Sequence, residues 1–347
     1  MLELDKLVKL VGDGIEAVVT ALGLGPTWVT LVQLIVAALV VVVFAALVVL
    51  FLVWWERKVS ARFQMRLGPM RVGWHGTIQT IADALKLLQK ELITPANVDR
   101  GIYFWAPVVT FVAAMAVYVT VPFGKGLIVR DLNIGILYIL SITTFTVIGL
   151  LMAGWSSNNK YALLGGFRSA AQVVSYEVPM ALAIVAVVML TQTLSMGEIV
   201  SQQAKFYQWY IWRQPLGFLI YLVAATAECN RTPFDLPEAD SELVAGFVTE
   251  YSGMKFAMFF LAEFLNMFTV AAIATTLFFG GWNGPFLPSW MWFLIKTLAG
   301  VFVLMWFRWT YPRLRVDQLM SFAWKFLLPL AFINIVLTGL GIYIFRP

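Results

Sequence analysis

VTLVQLIVAALVVVVFAALVVLFLVWW (29–55) carries no charged residue and only Thr30 and Gln33 as polar side chains. A helix crosses ~30 Å of hydrocarbon with about 20 apolar residues. The run is therefore long enough to span a bilayer and to tilt or project beyond it. Seven further stretches read as spans: 103–122, 134–155, 172–194, 215–229, 251–280, 289–309 and 325–345. The stretch 215–229 is the shortest and ends in Glu228. The expected fold is an all-α integral membrane protein, a bundle of about eight transmembrane helices with interfacial amphipathic helices. Trp54, Trp55, Trp105, Trp155 and Trp309 fall at predicted span ends, where an aromatic belt belongs.

Composition agrees. The chain of 347 residues is 61% hydrophobic with only 12% charged residues, outside the range of soluble domains. Its mean hydropathy is +0.84. The loops after the first, third, fifth and seventh spans, with their edges, hold sixteen Lys and Arg side chains, against seven on the other side. The positive-inside rule then puts that face in the cytoplasm and both termini outside, in the periplasm of a bacterial inner membrane or the equivalent side of a mitochondrial one. The net charge of +5 is a matter of topology, and nucleic acid is not an expected partner. Residues 28–347 read as one transmembrane domain with cytoplasmic loops at 56–102, 156–176, 230–250 and 310–324, without an internal repeat. Residues 1–27 read as an amphipathic segment, with Leu4, Leu7, Val8, Val11, Ile15, Val18 and Val19 at helical spacing. Its Glu3, Asp5, Lys6, Lys9, Asp13 and Glu16 interrupt any signal-peptide core.

Cys229 is the only cysteine and His75 the only histidine. A four-thiolate iron–sulfur site and a bis-histidine haem are excluded, so any redox cofactor belongs to a partner, and no metal site or catalytic residue is expected in this chain. The carboxylates are more telling. AECNRTPFDLPEADSELVAGFVTEYSGMKF (227–256) concentrates Glu228, Asp235, Glu238, Asp240, Glu242 and Glu250, and acidic groups near lipid are functional candidates by default. Asp235-Leu-Pro-Glu238 reads as a capping box with proline just inside a helix. The remaining carboxylates read as a cluster too dense to ionise independently, with Arg231 as the expected partner of Glu228. Glu177 stands two residues before Pro179, about three turns into a helix starting near Gly166, and is a candidate proton site. Glu263 and Lys296 are the deep charges, expected either as a structural pair or as the lining of a polar path.

The first loop, WWERKVSARFQMRLGPMRVGWHG (54–76), places Arg57, Lys58, Arg62 and Arg66 at helical spacing before Gly68-Pro69. Arg57 and Lys58 read as positive-inside anchors; Arg62, Arg66 and Arg71 flank a rigid turn shaped around something. TIQTIADALKLLQKE (77–91) follows, with Ile78, Ile81, Ala82, Leu85, Leu88 and Leu92 on one face and Gln79, Asp83, Lys86 and Lys90 on another. Such a helix lies in the interface plane and, with the arginine turn, suggests a slot for an amphiphile.

These residues resemble the H-subunit family of bacterial respiratory complex I, equivalent to mitochondrial NADH dehydrogenase subunit 1. The resemblance rests on RLGPMRVG (66–73), QTIADALKLLQKE (79–91), GWSSNNKYALLGGFRSAAQVVSYE (154–177), the acidic stretch, LFFGGW (277–282) and PRLRVDQLM (312–320). Met70 stands where the family usually has Asn, so no polar contact is assigned to it. The resemblance implies a membrane subunit of a proton-pumping NADH:quinone oxidoreductase, forming much of the chamber through which quinone enters between membrane and hydrophilic arms. Arg62, Phe63, Arg66, Arg71, Asp83 and Lys86 would border the quinone path. Glu177, Glu228, Arg231, Asp235, Glu238, Asp240, Glu242, Glu250, Glu263 and Lys296 would couple reduction to proton translocation. The implied partners are the hydrophilic quinone-site subunits, which with other partner subunits hold FMN and iron–sulfur clusters, the small membrane subunits, lipid and the quinone itself. A membrane component of an energy-converting hydrogenase, an independent ion transporter and a passive anchor are the alternatives.

Overall fold

A computed structural model describes residues 12–14, 16–17, 19–21, 25–237 and 240–345. The N-terminal reading through Leu4, Leu7, Val8, Val11, Ile15 and Val18 lies outside the described residues, as does Glu238. Among the described residues the protein is helical, without a strand beyond one isolated bridge between Gly124 and Leu127.

The long apolar run becomes α1 (Pro26–Phe63), entered with proline at its first turn and left at Gln64, with Met65 at φ 55°. Arg66 thus follows the helix instead of extending it. After the turn come α2 (Gln79–Gln89), α3 (Arg100–Ala116), α4 (Gly135–Ser156), α5 (Lys160–Thr191) and the short α6 (Met196–Ser201). Then follow α7 (Pro215–Glu228), α8 (Gly253–Phe278), α9 (Ser289–Thr310), α10 (Val316–Phe322) and α11 (Leu328–Phe345), the last two joined by a single wide turn at Ala323–Leu327. Among the described residues, seven helical segments are long and apolar enough to cross a membrane; the eighth candidate, α7, has only 14 residues. α5 starts earlier than Gly166, because the Asn159 side chain accepts from the Tyr161 N–H and caps it.

Packing is closest along α3–α4, α4–α5, α5–α7 and α8–α9. Small residues permit it. A Cβ at Gly154 would lie 2.8 Å from the Ala162 carbonyl oxygen and 3.1 Å from the Gly166 Cα, so α4 and α5 meet backbone to backbone. Buried tyrosines then lock helices by donating to main-chain carbonyls. Tyr118 reaches Leu265, Tyr221 reaches Val270 and Tyr176 reaches Leu319, at 2.9–3.0 Å. A hydroxyl without a partner at this depth would be costly, so each bond specifies a helix pair.

Candidate functional site

α7 ends at Glu228, and Asn230 takes a left-handed conformation (φ 51°) that reverses the chain. The Phe234 N–H donates to the Arg231 carbonyl and the Leu314 N–H to that of Pro233, so the loop folds back under the bundle. Gln172 of α5 holds it there, its Nε2 donating to the carbonyls of Ala227 and Phe234 at 2.7 Å each. Arg231 is thereby driven inward, its side chain only 2% exposed.

Three helices meet it. Arg231 Nη1 donates to Glu56 Oε1 of α1 at 2.7 Å, and its Nε lies 2.9 Å from Glu263 Oε1 of α8. The second contact is an ion pair whose N–H is not aligned as a hydrogen bond. Arg308 of α9 donates to the same Glu56 oxygen. Phe264 closes the assembly, its ring centroid 4.8 Å from the Arg231 guanidinium. Two guanidinium and two carboxylate groups balance, which is the condition for keeping ions this deeply buried. Burial works against the charge on Arg231, but the Glu263 and Glu56 carboxylates outweigh it and raise its pKa, so it stays charged. Glu56 Oε2 and Arg231 Nη2 remain without hydrogen-bond partners, a spare acceptor and donor inside the cluster.

Among the described residues, the carboxylates of the acidic stretch do not form one cluster. Asp235 pairs with Arg313 at 2.7 Å, Glu242 with Arg168 at 2.5 Å, and Glu250 Oε1 accepts from Asn159 Nδ2 at 2.7 Å. The Glu238 half of the expected capping box lies outside the described residues. The short helix described here is Asp240–Leu243, and the Asp235 carboxylate accepts from Arg313. Glu228 does not pair with Arg231. It lines a narrow internal cavity with Thr143, Tyr221 and Asn266. Glu177 accepts from the Thr144 hydroxyl at 2.6 Å.

Glu263 and Lys296 are not partners. Lys296 Nζ donates to the carbonyls of Phe279, Gly281 and Asn283 at 2.6–3.0 Å and sits 4.3 Å from the Trp209 ring centroid. It ties down the turn after α8, whereas Glu263, ten residues into that helix, lies about 15 Å from its start and faces Arg231.

Around the first loop, Arg57 pairs with Asp83 at 2.5 Å and joins α1 to α2, so it is more than an anchor. Lys58 holds the turn by donating to the Pro69 carbonyl at 2.6 Å. Arg62, Phe63, Arg66, Arg71 and Lys86 are exposed. The apolar face of α2 is open as well, with Ile78, Ile81, Leu85 and Leu88 all 47–60% exposed. Polar side chains dock this helix and apolar ones are presented outward.

Glu56 and Arg308 were missed by sequence reasoning. The available signal was that Glu56 is the sole carboxylate of α1. No group of His, Cys, Asp and Glu suited to a metal ion occurs among the described residues.

The sequence pattern of the NADH dehydrogenase family matches residues 36–339. The H subunit of the NADH-quinone oxidoreductase of Carboxydothermus hydrogenoformans is 52% identical over 301 residues, covering 86% of this chain and 85% of that protein. This chain belongs to the family of NADH-quinone oxidoreductase H subunits. The H subunit from Dehalococcoides mccartyi strain CBDB1 is 55% identical over 295 residues (85% and 83% covered). That from Brevibacillus brevis is 47% identical over 325 residues (92% and 96% covered). The family pattern begins within α1, beyond the N-terminal segment in which no motif was found. Membership decides against the hydrogenase and transporter alternatives and makes this an enzyme subunit seated in a membrane.

Proposed function

We propose that this subunit borders the quinone path at the junction of membrane and hydrophilic arms, and that the Glu56–Arg231–Glu263–Arg308 cluster receives the charge change of quinone reduction. The observation that carries this reading is the continuity of α1. The same helix holds buried Glu56 and, two turns on, the exposed Arg62 and Phe63 that open the arginine turn. The arginine turn and the open apolar face of α2 suit an amphiphile with a polar head, and their exposure suits cover by hydrophilic partner subunits. Redox groups belong to those partners; this chain contributes walls, charge and proton sites.

The electrostatics follow from the balanced cluster. A proton taken up at Glu263 or Glu56, or negative charge arriving beside Arg231, leaves one guanidinium without its counter-charge. The pairing rearranges, and because Arg231, Glu56, Glu263 and Arg308 sit on four different segments, the helix ends move with it. Glu228, at the end of α7, and Glu177, within α5, are the carboxylates assigned to the next step of this coupling path. In this arrangement the arginine-rich face is cytoplasmic.

The test is the assembled enzyme carrying Glu56→Gln together with Glu263→Gln. Quinone-linked NADH oxidation is expected to fall at least about tenfold, the equivalent of one lost buried charge interaction. Oxidation of NADH by an artificial acceptor upstream of quinone stays unchanged. Normal quinone-linked turnover and proton uptake in the assembled double variant would falsify the coupling role.

A further inference from the structure

The face opposite the arginine-rich loops is closed by two connections, 192–214 between α5 and α7 and 279–288 between α8 and α9. Gln203 joins them: its Nε2 donates to the Thr276 carbonyl at 2.9 Å, and its Oε1 accepts from the Gly280 N–H at 3.2 Å. Asn283 Nδ2 donates back to the Val200 carbonyl at 2.8 Å. The level of this cap follows from Tyr221, whose hydroxyl donates to the Val270 carbonyl. Tyr221 stands six residues, about 9 Å, from the start of α7, and Val270 eight residues, about 12 Å, from the end of α8. α7 therefore begins within one turn of the plane where α8 leaves the hydrocarbon, and residues 205–213 lie along that plane.

The inner side of this cap is buried through Ile199, Val200 and Tyr210. Its outer side is aromatic, with Phe206, Tyr207 and Trp212 59–65% exposed. The rings are fixed in place. The Phe206 centroid stands 5.5 Å from that of Trp212, and Trp212 Nε1 donates to the Phe206 carbonyl at 3.2 Å. The second connection adds Phe286, which is 93% exposed and held in left-handed backbone (φ 67°), a strained conformation for phenylalanine. Trp292 secures that turn, its Nε1 donating to the Pro285 carbonyl at 2.6 Å. The charges beside the rings have one sign. Lys205 and Arg213 bracket the strip, both exposed, and 199–227 contains no acidic residue. Glu198, just before it, accepts from the Thr193 hydroxyl at 2.5 Å.

We propose that residues 205–213, with Phe286, form an interfacial anchor seated in the lipid headgroup layer of the leaflet opposite the arginine-rich loops, where it favours anionic lipid. Three surroundings are open to the strip, and its side chains suit one of them. Water would leave the packed Phe206 and Trp212 rings and their neighbours as an exposed apolar patch. Hydrocarbon would strip Lys205 and Arg213 of solvation. The headgroup layer takes the rings at the acyl boundary and gives both cations phosphate partners. The anchor lies at the end of α8 remote from the arginine turn and does not depend on the coupling role of the buried cluster.

The experiment uses the assembled enzyme in nanodiscs of equal phosphatidylglycerol and phosphatidylcholine. The photoreactive amino acid p-benzoylphenylalanine replaces Phe206, Trp212 or Phe286 in turn, with the exposed Leu219 of α7 as the lipid-facing reference. Irradiation is expected to give lipid adducts at all three positions, in yields comparable to that at Leu219. At Phe206 the phosphatidylglycerol adduct should exceed the phosphatidylcholine adduct about fivefold, the value of one basic side chain at an anionic surface. Lys205→Gln together with Arg213→Gln should bring that ratio close to one. The unsubstituted enzyme supplies a second readout, since trypsin cuts after Lys205 and Arg213 and a diazirine lipid should label the released peptide 206–213. Crosslinks from the three positions to another subunit, or no lipid adduct at them while Leu219 labels, would overturn the assignment. So would an unlabelled 206–213 peptide, or a lipid ratio that is near one from the start or untouched by the double substitution.

Discussion

Replacing Arg231 with methionine is the sharpest perturbation of the buried cluster. The exposures set the expected order: the side chains of Arg231, Glu56, Glu263 and Arg308 are 2%, 9%, 22% and 35% exposed. Methionine keeps the volume but leaves two carboxylates facing each other, with only the partly exposed Arg308 to answer them. Breaking a buried pair by removing one partner costs about 3–5 kcal/mol. Glu56→Gln costs less, because Arg231 keeps Glu263 and the amide oxygen still accepts a bond. Glu263→Gln costs least, since its side chain is the most solvated of the three and its contact with Arg231 is not an aligned hydrogen bond. Adding Glu263→Gln to Arg231→Met removes the carboxylate that was orphaned, so part of the loss returns. Contacting residues of this kind couple by about 0.5–3 kcal/mol. The assay is the temperature at which the assembled enzyme releases this subunit, measured for the four members of the cycle in the same detergent. Equal losses for the three single substitutions, or strict additivity in the cycle, would refute the reasoning, because either result means the four charges do not share one neutralised site.

Other substitutions test other parts of the structure. Asp83→Asn removes the half-exposed bridge to Arg57, so it should leave assembly intact at a cost below about 1 kcal/mol; a raised KM for quinone with unchanged kcat is the expected steady-state result. Gly165→Ala would place a Cβ 2.8 Å from the Gly246 Cα and the Phe247 nitrogen, and the yield of assembled enzyme should fall, whereas Gly339→Ala meets only the flexible end of Met189 at 3.6 Å and should be neutral. Lys296→Met leaves three carbonyls without their donor, and its effect on thermal release should add to that of Glu263→Gln, since the two side chains share no partner.

Much of this architecture is legible in the chain because the membrane simplifies the problem. Every apolar run long enough to cross must be helical, so the spans from 29–55 to 325–345 follow from length and hydropathy alone. Even the marginal span is visible, as α7 is short in the structure for the same reason that 215–229 is short in the sequence. The amphipathic helix at 77–91 is equally visible, although which face it turns inward is not. Its polar face docks through Asp83, and only Arg57 on another helix decides that.

The pairing of charges lies beyond the reach of sequence. Arg231 lies three residues from Glu228 and far along the chain from Glu56, yet it meets Glu56 and Glu263 because Asn230 reverses the backbone and Gln172 pins the loop beneath α1 and α8. Lys296 likewise caps a turn instead of pairing with Glu263. By itself, then, the sequence determined an all-helical membrane protein with most of its basic residues on one face, because a run of about 20 apolar residues crosses hydrocarbon as a helix that satisfies its own backbone. Only the tertiary structure decided which carboxylate answers which guanidinium, because a buried ion is paired by the packing angle of helices remote in sequence and not by its neighbours along the chain.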